Sequence, residues 1–463
     1  MKYNDRSLTF NDYPQLWDPL TIVDPIYGAL RFSREISRII NTADFQRLRG
    51  IKQLSLVSLQ YPSADHSRFI HSLGVAHLIR LAIDYLKLNA QRFKEEIEIK
   101  FEEKDELETI LAGLLHDIGH GPTGHVLDTF FFRENVPHKH EDYTQKRIID
   151  SPYDLTATIE KIGLEPKIIA AKAIGRKIDN NAFYSNLIAN YGMDMDRLDY
   201  IARDSYFTGV GLKDFNYFLL LSDAIIVPGY KIDSPKIDKE QYYLAFNESS
   251  LQQSIEPLLL ARAMLYGQVY YSSKNRGPQL MLVKAIEQMV EKGEIVIDEI
   301  MEKTDGELWS IILSTKDNLA RNLIARIKFH RLYTLLVEFN RTEDVTVRLL
   351  DLVRKGETNK IKDIERKATD ELINAGLLRS EDVVLIDIPT EKGIGTLFIA
   401  KTEQNKILEA YSIERTRRDK MLISAIDEQM KSQNRIRIYG PPELKKEKLI
   451  VEWKLKELIN NYC

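Results

Sequence analysis

Leu114-Leu115-His116-Asp117-Ile118-Gly119-His120-Gly121-Pro122-Thr123-Gly124-His125-Val126-Leu127-Asp128 is the stretch that decides how the rest of this chain is read. An apolar helical run (Ile110, Leu111, Leu114, Leu115) delivers a His-Asp pair to a glycine-rich break, and two further histidines and an aspartate follow. Eight of the nine histidines fall between His66 and His140: His66, His71, His77, His116, His120, His125, His138 and His140. His330 stands apart. Imidazole and carboxylate converging where a helix ends can hold a borderline divalent metal with coordination positions left open.

Working outward, Asp65-His66-Ser67-Arg68-Phe69-Ile70-His71-Ser72-Leu73-Gly74 puts another imidazole just ahead of an amphipathic helix over 72–90. Downstream, Met193-Asp194-Met195-Asp196-Arg197-Leu198-Asp199-Tyr200-Ile201-Ala202-Arg203-Asp204 reads as a helix in which Asp196, Tyr200 and Arg203 or Asp204 share a face. Each piece alone has a plainer reading. A buried histidine is commonly a satisfied core residue, and His77 and His330 are read so. An Asp-rich helix start is commonly an N-cap. The set His71, His116, Asp117 and Asp196 is far more specific than its parts. Two imidazoles and two carboxylates suit Mn, Fe, Co, Ni or Zn, whereas pure Mg sites usually avoid imidazole.

The 463-residue chain is 44% hydrophobic and 29% charged, with a formal net charge of −4. That supports a sizeable core and excludes a general polyanion binder. The single cysteine, Cys463, allows no internal disulfide and no thiolate metal site. Met1-Lys2-Tyr3-Asn4-Asp5 lacks the apolar run of a signal peptide, and no membrane partner is expected, so a cytoplasmic protein is the expectation. Leu20–Val23 reads as a short strand before the turns Asp24-Pro25 and Tyr27-Gly28. Residues 34–60, 72–90 and 105–116 read as helices, with Lys94–Glu106 as a charged loop or solvated face. Helical texture continues to about 222. Ile225–Val227 and Tyr242–Phe246 then read as a β-hairpin, and helices resume over 251–340 and on to about 377. Val383–Ile388, Thr396–Ala400, Arg435–Tyr439 and Leu449–Trp453 read as strands around a helix at 412–431. The fold class is therefore mainly α: a helical body with a short β-hairpin and a small C-terminal α/β lobe.

His71…His116-Asp117…Asp196 matches the metal pattern of the HD superfamily of phosphohydrolases. The chain resembles one branch, the deoxynucleoside triphosphate triphosphohydrolases, including the catalytic core of the sterile-alpha-motif and HD-domain dNTPases. The matching text is Asp24-Pro25-Ile26, Phe45-Gln46-Arg47-Leu48-Arg49-Gly50-Ile51-Lys52-Gln53-Leu54, His66–Val75, Leu115–Asp128, His140-Glu141 and Asp196–Asp204. The likeness covers about 20–280, and more loosely the α/β lobe. It implies an N-terminal segment with short strands (1–45), a metal-dependent HD core (46–222), a helical extension completing the nucleotide pocket and an oligomer interface (223–378), and the α/β lobe (379–463).

A nucleoside triphosphate needs fixed cations, and arginine's planar fork matches phosphate oxygens. By resemblance, Arg68 and Arg262 contact phosphate and Gln53 and Asp204 hold the sugar 3′-hydroxyl. Tyr200 and Tyr270 pack on the sugar, Leu54 and Tyr270 crowd out a 2′-hydroxyl, and Arg197 joins the substrate set. One divalent ion is expected (Mn, Fe, Ni, Co, Zn or Mg), with additional Mg on the substrate triphosphate. The implied reaction is water attack at the α-phosphorus, releasing deoxynucleoside and tripolyphosphate. The 5′-oxygen needs a proton, from His125 with Asp128 or from His140 beside Glu141, while His120 faces a phosphoryl oxygen. The resemblance also implies a homotetramer. Gln46 and Arg49 match members activated by a guanine nucleotide, while Asn41 and Ser272 depart from them; an activating nucleotide is a further expectation. The rivals are an HD phosphohydrolase of another nucleotide (monophosphate, cyclic or signalling) and a nucleic-acid-binding regulator with a structural metal. Arg415–Lys420 and Lys445–Lys448 would serve the latter, but the acidic overall charge argues against nucleic acid.

Overall fold

The computed structural model describes residues 20–137, 139–176, 182–189, 193–211, 216–234, 237–388, 393–395, 397–413, 420–433 and 435–462. Within the basic run Arg415–Lys420, residues 415–419 lie outside these, as do His138 and Cys463. The molecule is mainly α-helical, with three small sheets.

The body is built on the helix Arg68–Arg92, which buries Phe69, Leu73, Val75, Ala76, Leu78, Ile79, Ala82, Ile83 and Leu86. Apolar residues on most of its faces mark a helix surrounded by protein. Among the described residues it is the one helix long and apolar enough to cross a membrane, and 72% of its most apolar window is buried inside the protein. The helices Glu103–Leu115 and Met195–Thr208 pack against it. Asp194 caps Met195–Thr208 by accepting from the Arg197 amide, and Gly209 ends it in the left-handed region at φ 72°.

Strand β1 (Leu20–Asp24) stands where a short strand was expected, and it pairs antiparallel with a second strand, β2 (Gly28–Phe32). Strands β3 (Ala224–Pro228) and β4 (Tyr242–Asn247) pair antiparallel as expected. This hairpin is only half of a four-stranded sheet. The remaining strands are β5 (Thr334–Phe339), β6 (Leu385–Asp387), β7 (Phe398–Glu403), β8 (Lys406–Ser412) and β9 (Ile436–Gly440). The sheets run β3-β4-β7-β8 and β5-β9-β6, so both draw strands from either side of residue 379.

Several local expectations are corrected. The helix expected over 34–60 breaks after Ile40: Thr42 caps the short helix Ala43–Gln46, and tight turns follow at Arg47–Gly50 and Ser55–Leu59. Thr334–Phe339 is a strand inside the region read as helical. Leu449–Trp453 belongs to the helix Lys448–Tyr462, not to a strand. Buried Val451, Leu455, Leu458 and Ile459 recur there at helical spacing, and Lys456 pairs with Glu452 four residues back. His330, read as core, is exposed and sits at φ 56°. His77 is buried as expected, and burial followed by Arg80 pushes its pKa down to about 4.

Candidate metal centre and active site

Three helices deliver the expected ligands to one point. His71 is not ahead of its helix but inside the first turn of Arg68–Arg92, so Arg68 and His71 share a face at i, i+3. His116 caps the end of Glu103–Leu115, and Asp196 lies in the first turn of Met195–Thr208. His71 Nε2 approaches Asp196 Oδ1 at 3.1 Å and Asp117 Oδ2 at 3.7 Å. His116 Nε2 lies 3.6 Å from Asp196 Oδ1 and 3.5 Å from Asp117 Oδ1. Both Nε2 atoms are buried with no hydrogen-bond partner.

The opposite nitrogens are tied: His71 Nδ1 to Asp199 Oδ2 at 2.7 Å, His116 Nδ1 to the Gly113 carbonyl at 2.7 Å. Imidazoles fixed through one nitrogen, with the other aimed inward beside two carboxylates, fit a divalent metal. Burial opposes charge on His71, but the carboxylates of Asp196 and Asp199 beside its two ring nitrogens raise its pKa to about 10; His116 is raised likewise by Asp117 and Asp196. A metal bound at these ring nitrogens would displace the protons they otherwise draw.

Beside this centre, Arg68 pairs with Asp117 through Nη1. Its Nε and Nη2 are buried and unpartnered. A Cβ added at Gly124 would stand 2.6 Å from Arg68 Nη2, and Gly124 itself sits at φ 51°, so glycine is needed there twice over.

The second histidine group lies across His120. His125 Nδ1 meets Asp128 Oδ2 at 2.7 Å, and His140 Nδ1 meets Asp128 Oδ1 at 3.2 Å. His140 stacks on His120 at 4.0 Å, and His120 Nε2 is 3.3 Å from Asp117 Oδ1 without a hydrogen bond. Burial, Arg68 and His140 hold His120 well below the usual imidazole range, so it stays neutral. Burial opposes charge on His140, but its hydrogen bond to Asp128 wins and raises its pKa. Asp128 is held well below the usual carboxylate range, since hydrogen bonds from His125 and His140 outweigh burial.

A third group adjoins the ligand Asp196. Asp204 accepts from Tyr270 Oη and meets His66 Nε2 at 2.8 Å. Tyr200 and Tyr270 stand edge to face at 6.2 Å. Arg262 lies 5.5 Å over the Tyr266 ring and donates to the Ile394 carbonyl at 2.8 Å, with Nε unpartnered. Arg197 pairs with Asp194 at 2.9 Å and feels the charges of Tyr200, Arg262 and Asp196. Gln53 is tied through its amide to the His66 carbonyl at 2.9 Å, its Oε1 is buried and unpartnered, and Leu54 beside it is buried. Gln46 and Arg49 are turned onto each other at 2.7 Å, with Arg49 over Phe69.

Sequence reasoning missed the supports. Asp199 sits three residues after Asp196, and Arg203 follows it at i+4; that spacing was the available signal. Arg47 donates to the Ile118 and His120 carbonyls, each at 2.8 Å, and Asp305 accepts from the Lys52 and Thr123 amides at 2.9 and 2.7 Å. Backbone carbonyls and distant segments leave no trace in a motif.

A helical body whose central helices converge two histidines and two aspartates on one point is the HD-domain arrangement, and the chain belongs to that family: residues 68–204 match the HD domain and residues 236–456 match the HD associated region. HD domains bind a divalent metal, and the family supports a phosphohydrolase. Among individual relatives, the chain is 26% identical over 403 residues to the deoxynucleoside triphosphate triphosphohydrolase SAMHD1 of Homo sapiens, covering 76% of this chain and 61% of that protein. It is 31% identical over 264 residues to the uncharacterized protein YwfO of Bacillus subtilis, covering 57% of this chain and 54% of that protein. The chain thus spans little more than half the length of these relatives. In fold it is similar to a hypothetical protein from Aquifex aeolicus, with a TM-score of 0.65 and 23% identity over 94% of this chain and 99% of that one.

Proposed function

We propose that this HD-domain protein hydrolyses deoxynucleoside triphosphates to deoxynucleoside and tripolyphosphate. His71, His116, Asp117 and Asp196 would hold one divalent metal, which supplies Lewis acidity and local positive charge. The observation that carries the reading is Arg68. A buried guanidinium that pairs with Asp117 through Nη1 yet keeps Nε and Nη2 open, one helical turn from the candidate ligand His71, can take a second anion. Arg262 offers a second cation, with an unpartnered Nε, from a separate helix. Two arginines gripping a triphosphate tail leave the α-phosphorus nearest the ligand cluster.

His125 and His140 each give Nδ1 to Asp128, which leaves the opposite ring nitrogen of each for the substrate. A protonated imidazole held this way donates to the sugar 5′-oxygen as the bond to phosphorus breaks. His120, kept neutral, faces a phosphoryl oxygen. Asp204, Gln53, Tyr200 and Tyr270 would receive the sugar, Leu54 and Tyr270 would exclude the 2′-hydroxyl, and Arg197 would flank the phosphates. A homotetramer in the cytoplasm, additional Mg on the substrate and an activating nucleotide at Gln46 and Arg49 belong to the same proposal. The test is product analysis: dNTPs and NTPs incubated with Mn or Mg and resolved by ion exchange. Deoxynucleoside and tripolyphosphate are expected. dNMP with pyrophosphate, dNDP with phosphate, or hydrolysis confined to another nucleotide class would refute it.

A further inference from the structure

Behind the ligand His71 runs a buried chain of charges that ends in the N-terminal hairpin. His71 Nδ1 bonds Asp199 Oδ2 at 2.7 Å. Arg203 grips Asp199 with a fork, Nε to Oδ2 at 2.8 Å and Nη2 to Oδ1 at 2.9 Å. The third edge of that guanidinium, Nη1, donates to Asp24 Oδ2 at 2.9 Å. Asp24 is itself anchored, because its Oδ1 accepts the amides of Ile26 at 2.8 Å and Tyr27 at 3.0 Å in the turn between β1 and β2. His71, Asp199 and Arg203 are fully buried and Asp24 is 4% exposed.

The space is made for this chain. A Cβ added at Gly74, one turn beyond His71, would fall 1.9 Å from Asp199 Oδ1 and 2.5 Å from Arg203 Nη2. Any side chain there would evict the Asp199–Arg203 pair.

We propose that Asp24 is a positioning residue for the metal ligand His71, acting through Arg203 and Asp199. The inference rests on the metal reading of His71. Asp199 cannot swing while both its oxygens are gripped by a planar fork. The fork cannot swing while Asp24 holds its free edge. Asp199 so held keeps the His71 proton on Nδ1 and presents the Nε2 lone pair to the ligand cluster. The β1–β2 turn, far from the metal ligands in sequence, thereby becomes part of the metal centre.

Removing a group that orients a ligand typically weakens metal affinity by about 10–100-fold. Asp24 stands two links further back, so Asp24→Asn is expected to weaken Mn binding about three- to tenfold, and Asp199→Asn by more. Asn keeps an oxygen for the Ile26 and Tyr27 amides and so spares the turn. The measurement is competition for Mn against a fluorescent chelator on the full chain, with the visible spectrum of the Co-loaded protein as a geometric readout. Leu30→Ala is the control: Leu30 is fully buried in the same hairpin but is not part of the chain. It should lower the unfolding midpoint while the turn residues that anchor Asp24 stay in place, and leave metal affinity unchanged. Arg203→Lys, which keeps the charge and loses the fork, gives a second reading if Asp24→Asn folds poorly. Unchanged affinity and Co spectrum in folded Asp24→Asn, or an equal loss in Leu30→Ala, would overturn the inference while leaving the metal reading intact. A wild-type chain that binds no divalent metal would overturn both.

Discussion

The two histidine clusters on either side of His120 use the same side chains to opposite ends. In the first, His71 is buried and the His116 side chain is 10% exposed, each has its own fixed partner behind it, and both inward nitrogens are left without hydrogen bonds. In the second, His125 and His140 share a single carboxylate, Asp128, and the His125 side chain is 69% exposed. One arrangement aims two unbonded ring nitrogens at a pair of carboxylates, and the other ties two imidazoles to a single carboxylate. Under the proposed reading, what separates a ligand from an acid is the group behind each imidazole and its access to water.

The strongest way to break this comparison is to remove a ligand. His116→Ala should reduce hydrolysis by at least about three orders of magnitude, the scale of several kcal/mol of Lewis-acid stabilisation. Bound metal, read by elemental analysis, should fall to background while the far-ultraviolet dichroism of the helical body persists. Activity that survives in a metal-stripped His116→Ala sample would end the metal assignment.

In the second cluster, His125→Ala or His140→Ala should cost about two to four orders of magnitude in rate, the usual range for a general acid. Metal content should stay at the wild-type level. A variant that loses its metal would mean that the clusters are one site.

Arg47 touches both sides at once, holding the Ile118 and His120 carbonyls while also bonding the Met301 and Lys303 carbonyls at 3.3 and 3.2 Å. Arg47→Ala strands these acceptors, at about 1–3 kcal/mol for each group left buried. Allowing for water entry, a loss of about 2–4 kcal/mol in denaturant unfolding is expected. An unchanged midpoint would show the loop to be held elsewhere.

The smallest effect is a shift in pH profile. His140 has its pKa raised, so its proton is present below that pKa and is lost as pH rises through it. The alkaline limb of the rate profile should therefore lie above the ordinary imidazole value of about 6.5. Asp128→Asn should move that limb to lower pH. A limb that stays in place would take the donor role from His140.

Much of this was legible from residue order. His116-Asp117 at the end of an apolar run, with Asp196 in the first turn of another helix, pointed to groups that the structure brings within a few ångströms of one another, because helix ends and capping signals are local. The extension of the β3-β4 hairpin by β7 and β8 was not legible, since strand pairing across about 150 residues leaves no periodicity in either segment. Leu449–Trp453 misled for a related reason: a short β-branched run is ambiguous until its burial is known, and here the helical face won.

By itself the sequence determined which candidate groups the chain offers, because residue types, their helical spacing and the glycine-rich break after Asp117 are written locally. Only the tertiary structure decided what each group does. Asp199, Arg203 and Asp24 are ordinary charges in sequence, yet they become a buried brace for His71 once three distant segments meet. Arg68 is one arginine among many until Asp117 occupies one edge of its fork and leaves the others open. Coulomb and hydrogen-bond energies depend on distance and on the exclusion of water, and both are properties of packing rather than of residue order.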